Sequence, residues 1–431
     1  MWWHVYPLGF TGAPIRPEAE TTTVTHRLPQ IEGWLDHLVG LGLNGLLLGP
    51  VFASETHGYD TVDHFRIDPR LGDDADIDAL LSAARARGIR VLFDGVFNHV
   101  GRAHPAFRAL EEQGPSAPTA SLFRARWEGW TPGARVDADV FEGHDALVAL
   151  DHSSPAAEDL VARVMTYWLD RGIDGWRLDA AYAVPSSFWA RVLPRVRSAH
   201  PDAWFVGEVI HGDAARIVSE ATVDSLTQYE LWQGIWHAIA DRNLFELEHA
   251  IVRHNDLLSV FAPQTFVGNH DVTRIATAIG ADLVPHALAV LFTVAGVPSV
   301  YAGDEYGYEG VKEDRVGGDD AVRPAFPATP PSAASLSGAA SGILSAHQQL
   351  IALRRQHPWL HRAHTDVIHR DNTSIVLRTA TSDAAVLTAL NIADEAIEVP
   401  VADAAHLAVG DAEHRGATAV LPARGFAVFT G

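Results

Sequence analysis

A repeated alternation constrains this chain more than any other feature. Eight short apolar runs, at residues 2–8, 44–51, 89–99, 173–179, 203–209, 223–231, 264–271 and 296–305, are separated by stretches with helical spacing, such as IEGWLDHLVGLG, DIDALLSAARARG and AAEDLVARVMTYWLDRG. A strand that returns through a helix lies parallel to the strand before it. Eight such units predict a closed (β/α)8 TIM barrel, with an open doubly wound sheet as the alternative. No G-x-G-x-x-G follows any of the runs, so dinucleotide binding has no support.

Two regions break the rhythm. Residues 100–150 fall between the third run and its helix and are rich in Trp, Gly and Pro (RARWEGWTPGARVDADVFEG), which predicts a small inserted domain. From residue 364 the helical pattern gives way to short strand-like runs with turn signals, so 364–431 is predicted to be a C-terminal β-sandwich domain. The barrel then comprises 1–99 and 151–363. The low-complexity stretch FPATPPSAASLSGAASG (326–342) reads as a loop before the last barrel helix.

Composition narrows the partners. A formal net charge of −22 excludes nucleic acid and anionic membrane, which need a positive surface. There is no Cys, hence no disulfide or thiol chemistry. No apolar run is long enough to span a bilayer, and MWWHVYPLGF lacks the features of a signal peptide, so a soluble cytoplasmic protein is expected.

In a barrel the C-terminal ends of the strands carry the chemistry. Here those ends offer Asp94, Asn98 and His99; Arg177 and Asp179; Glu208; and Asn269, His270 and Asp271, with His57, Tyr59 and Asp60 in the loop after the second run. Taken alone, Asp271 could be a helix N-cap for VTRIATAIG. Arg177 and Asp179, two apart on a strand, share a face, so the guanidinium is expected to lower the Asp179 pKa and suit it to a nucleophile. Glu208 follows the apolar WFVG, so desolvation is expected to raise its pKa and suit it to a general acid. Two carboxyl groups with divergent pKa values are the pattern of glycoside hydrolysis.

The segments DGVFNH (94–99), GWRLD (175–179), GE (207–208) and VGNHD (267–271) resemble, in order, the four signature regions of the α-amylase family of glycoside hydrolases. HGYDTVDHFRIDPRLG (57–72) and GVPSVYAGDEYG (296–307) resemble two further stretches of that family. The resemblance covers about residues 1–360. It implies that Asp179 is the nucleophile, Glu208 the acid/base and Asp271 a third carboxylate that steadies the transition state. It implies that His99, Arg177 and His270 bind the sugar, that Tyr59 stacks on it, that Asp60 is a support, and that Asp319 and Arg323 form a sugar-binding pair.

RLDAAYAVPSSFWARVL and GDEYGYEGVKEDRVGGDDAVRPAF look most like the cyclomaltodextrinase and neopullulanase branch, which cuts cyclic and short α-glucans. A hydrolase of cyclic maltosyl-maltose is a related reading. That branch usually carries an extra N-terminal β domain and its dimer contact, whereas the first strand here starts at residue 2; a homodimer is left open as a partner beside the oligosaccharide substrate. Relatives that bind calcium use Asn98 and a His at the position of Ala183, so no metal and no cofactor is expected. Trp127, Trp130 and Trp232 are candidates for stacking on sugar. A transglycosylase, or a non-catalytic sugar-binding barrel, are the competing readings; the three retained carboxylates weigh against the second.

Overall fold

The structure, a computed structural model, describes residues 1–18, 21–336, 338–401 and 406–431. Eight parallel strands form one sheet: β1 (Trp2–Val5), β2 (Gly45–Leu48), β3 (Arg90–Gly95), β4 (Gly175–Leu178), β5 (Trp204–Gly207), β6 (Ser225–Leu226), β7 (Gln264–Phe266) and β8 (Val297–Tyr301). They pair in the order β6-β5-β4-β3-β2-β1-β8-β7. A parallel bridge between Thr227 and Gln264 joins the two ends, so the sheet closes into the expected barrel.

Helices cover the outside for reasons written in the chain. Helix Asp74–Ala86 opens with a capping box between Asp73 and Asp76. Helix Pro155–Arg171 has Ser154 as its cap, Pro at its first position, and Gly172 in the left-handed conformation as its stop. The buried aromatic rings of Phe52, Phe93, Trp168 and Trp176 pack between this layer and the sheet.

The interior of the barrel follows from strand alternation. Residues two apart share a face, so Trp2, Leu92 and Val206 point the same way as His4, Asp94 and Glu208. Trp2, Leu47, Leu92 and Val206, with Trp204 stacked on Trp2 at 5.4 Å, form an apolar plug. The polar groups of the rim stand on this plug.

Several boundaries differ from the expected ones. The sixth run forms a strand only at 225–226, and its second half opens helix Tyr229–Ala240. The third run breaks after Gly95, and His99–Gly101 pairs antiparallel with His144–Ala149 of the inserted segment. Helix Gly338–Gln356 takes over part of the stretch read as a loop, in which Ser337 lies outside the described residues.

After the barrel come β9 (His364–Arg370), β10 (Ser374–Ala380), β11 (Ala385–Asn391), β12 (Ile397–Pro400), β13 (His406–Gly410), β14 (Glu413–Arg415), β15 (Thr418–Leu421) and β16 (Phe426–Thr430). They make two antiparallel sheets, β9-β10-β11-β16-β13 and β12-β15-β14. Alternation divides the larger sheet: Val376, Leu387 and Phe429 face the smaller one, while Ile375, Leu377 and Leu390 join the barrel core. His286 Nε2, on barrel helix Val284–Thr293, donates to the carbonyls of Asn391 and Gly425, both at 3.1 Å, and ties the two domains. No helix among the described residues is long and apolar enough to cross a membrane.

Candidate active site

Arg177 sits in register between Asp94 on β3 and Val206 on β5. Its Nη1 donates to Asp94 Oδ1 and Oδ2 at 2.8 and 2.7 Å and to Asp179 Oδ1 at 3.2 Å. Its Nη2 pairs with Glu208 Oε1 at 2.6 Å. Asp179 and Glu208 each follow the last residue of a strand, and their backbone N–H groups still bond to the neighbouring strand, at Gly95 O and Leu178 O. One guanidinium thus gathers three carboxylates, and all four side chains are buried.

This crowding reverses one expectation. Burial first, and then the charge of Glu208, push Asp179 well above the usual carboxylate range, against the opposing pull of Arg177. Burial likewise pushes Asp94 up to about 6. Arg177 makes its shorter Nη1 bonds to Asp94, so it cannot hold Asp179 down as the two-residue spacing suggested. Three buried carboxylates around one cation are not all ionised at low cost, and the upward pushes on Asp179 and Asp94 express that crowding.

Across the mouth, His270 lies nearly parallel to Tyr6 and Tyr59, with ring centroids at 5.9 and 5.5 Å. Burial holds its pKa well below the usual value, so the ring is neutral. The Tyr59 hydroxyl reaches Asp94 Oδ2 at 3.0 Å and also meets His270 Nε2. His99 donates from Nε2 to the Tyr59 carbonyl at 2.9 Å, and its Nδ1 faces the Asn98 amide nitrogen at 3.1 Å. Both of its ring nitrogens are therefore engaged within the protein, and its direct effect is to hold Tyr59. Asp60 accepts from the Thr56 backbone N–H at 3.0 Å and shapes the same loop.

Asp271 is not a helix cap. The next helix begins at Ile275, with Arg274 at the cap position, and the Asp271 N–H donates to Asn269 Oδ1 at 2.8 Å. Its carboxylate binds Arg323 Nη2 at 2.6 Å and His270 Nε2 at 3.0 Å. Arg323 also donates to the His270 carbonyl, lies 4.5 Å from the Tyr6 ring centroid, and pairs with Asp319. Asp319 and Arg323 therefore join the site and are not an exposed loop pair. Gly268 in VGNHD is explained by space: a Cβ there would collide with the buried Asp304 carboxylate.

Sequence reading did not single out His4, Tyr6 or Tyr229. His4 packs edge-on against His270, with centroids at 4.9 Å, and Tyr229 bonds to Glu208. The signal was present for the first two, since His4 and Tyr6 are two apart at the end of β1. Trp127 and Trp130 pack edge-to-face at 5.4 Å, and Trp130 Nε1 donates to Ala134 O, so they serve the inserted segment's own core. Trp232 lines a cavity of about 580 Å³ together with Arg253, Leu257 and Phe261. Asn98 turns its amide nitrogen to His99 and lines a cavity with Ala183, Arg124, Asp139 and Glu142.

The chain matches the family model described as alpha amylase, catalytic domain, over residues 27–330. It is 30% identical over 380 residues to a cyclomaltodextrinase of Geobacillus thermopakistaniensis, an alignment covering 85% of this chain and 62% of that protein, so the chain spans less than two thirds of that relative's length. The ligand-free structure of cyclic alpha-maltosyl-(1→6)-maltose hydrolase from Arthrobacter globiformis superposes with a TM-score of 0.83 at 26% identity, over 100% of this chain and 98% of that one. The native debranching enzyme of Nostoc punctiforme superposes with a TM-score of 0.82 at 25% identity, over 100% and 98% of the two chains.

Proposed function

The chain belongs to the alpha-amylase family, and on that premise we propose that it is a retaining glycoside hydrolase cleaving α-1,4-glucosidic bonds in short or cyclic α-glucans. The observation that carries this reading is the single guanidinium of Arg177 bonded to both Asp179 and Glu208. Carboxylates held on neighbouring nitrogens of one guanidinium suit the separation of about 5–5.5 Å that a retaining mechanism uses.

In the first step a carboxylate oxygen of Asp179 attacks the anomeric carbon while Glu208 gives its proton to the departing glycosidic oxygen. Water, deprotonated by Glu208, then opens the glycosyl ester from the same face, and the configuration is retained. Asp271, held by Arg323 and His270, faces the positive charge that develops on the sugar. Cyclic and short substrates are supported by the cyclomaltodextrinase and the cyclic alpha-maltosyl-(1→6)-maltose hydrolase that the chain resembles. Tyr182 in the loop after β4 donates to Glu142 of the inserted segment at 2.9 Å, which ties that segment to the rim beside the site.

The test is product analysis on linear, branched and cyclic α-glucans, with proton NMR during the first turnovers. Maltose and glucose released as α-anomers are expected. Initial release of the β-anomer would overturn the retaining mechanism.

A further inference from the structure

Tyr229, the first residue of the helix after β6, is buried beside Glu208, and its hydroxyl donates to Glu208 Oε1 at 3.0 Å. The same hydroxyl accepts from Asn269 Nδ2 at 2.9 Å, and Asn269 Oδ1 accepts from the backbone N–H of Asp271 at 2.8 Å. Each link fixes the next. A backbone N–H only donates, so the amide oxygen of Asn269 faces Asp271 and its NH2 faces Tyr229. The NH2 only donates, so the Tyr229 hydroxyl offers a lone pair there and turns its proton toward Glu208. Oε1 also pairs with Arg177 Nη2 at 2.6 Å, so two donors occupy it. Oε2 accepts a single bond, from the Ala180 N–H at 3.1 Å.

We propose that Tyr229, locked by Asn269, is a positioning residue that decides which oxygen of Glu208 carries the catalytic proton: with Oε1 filled by two donors, the proton resides on Oε2. This rests on the acid/base role of Glu208 given above. It also gives Asn269 a task, since the NHD segment at the end of β7 then sets the protonation of a carboxyl on β5 through one phenol. Loss of the hydroxyl opens a second position for the proton and removes a donor that favours the ionised carboxylate. The other titratable groups facing Glu208 are Arg177 and Asp179 at β4, Asp94 on β3 and Tyr182 after β4, and all are unchanged in a Tyr229→Phe variant.

The experiment is a set of kcat/KM pH profiles for Tyr229→Phe and Asn269→Ala, each with a maltooligosaccharide and with an activated aryl α-maltoside, alongside Glu208→Gln. In Tyr229→Phe the alkaline limb for the maltooligosaccharide should move up by about one pH unit. Its kcat should fall by about tenfold, while the aryl glycoside, whose leaving group needs little protonation, should lose far less. Asn269→Ala should move the limb in the same direction by a smaller amount, and it carries the test if Tyr229→Phe does not fold. An unmoved limb in a folded variant, or an equal loss on both substrates, would reduce Tyr229 to a packing residue. Retention of maltooligosaccharide turnover by Glu208→Gln would instead overturn the acid/base assignment itself, so the two failures are distinguishable.

Discussion

Arg177 and Asp94 face each other in register on adjacent strands, and one guanidinium nitrogen bonds to both oxygens of the carboxylate at 2.8 and 2.7 Å. Asp94, not the nucleophile, is the principal partner of the arginine. Arg177→Met should therefore destabilise the protein by about 3–5 kcal/mol, because three buried carboxylates lose the cation they share. Urea unfolding measures this, and a midpoint equal to wild type would mean that the ion cluster is dispensable for folding.

Asp179→Asn should leave the fold intact and lower turnover by several orders of magnitude, since no glycosyl ester can form. Glu208→Gln should lower turnover on maltooligosaccharides by about 10²–10⁴-fold and spare the first step with aryl glycosides. Near wild-type turnover in Asp179→Asn would remove it from the nucleophile's place.

His286 joins the barrel to the C-terminal domain as a neutral ring, with burial holding its pKa down to about 4. An unfolded His titrates near 6.5. Between those values the unfolded chain binds a proton that the folded chain does not, so stability falls as pH drops from about 6.5 to 4. The loss from this residue reaches about 3 kcal/mol at pH 4. His286→Gln should be less stable at pH 7, and its deficit should shrink by that amount on going to pH 4. Parallel stability curves for the two proteins would contradict this.

Position 183 is Ala where calcium-binding relatives carry a His, so EDTA is expected to change neither the rate nor the melting temperature. A fall of many degrees on chelation would reveal a metal site, with the inserted segment 100–150 the first place to look.

If the mouth is a pocket, remote sugar contacts favour ligands that fit it whole. A small cyclic or short α-glucan should then exceed soluble starch in kcat/KM, per chain end, by at least about tenfold, or ~1.4 kcal/mol of transition-state stabilisation. Early accumulation of long linear oligosaccharides from starch would point to an open cleft.

Much of the architecture was legible in the residues themselves. The eight strand–helix units carry local signals, such as the Asp73 capping box and the Ser154-Pro155 helix start, and these survive in the structure. The C-terminal sheets follow from alternation, with Ile375 and Val376 sent to opposite faces. Short-range rules were weaker where a run had to change element. The sixth run became half strand and half helix, and Asp271 turned away from the helix that seemed to need it, because the tertiary ties of the Asn269–Asp271 segment outweigh a local cap.

The sequence by itself determined which chemical groups arrive at the barrel rim and in what order, because a strand end is a local property of its own segment. Only the tertiary structure decided how those groups share charge and protons. Arg177 lies two residues from Asp179, yet it makes its shortest bonds to Asp94 and Glu208, 83 residues before it and 31 after it. Asp319 and Arg323, from the loop after β8, reach Asp271 on the same principle. The closure and register of the barrel set these distances, and a pKa depends on distance in space and on burial, neither of which is written in the spacing along the chain.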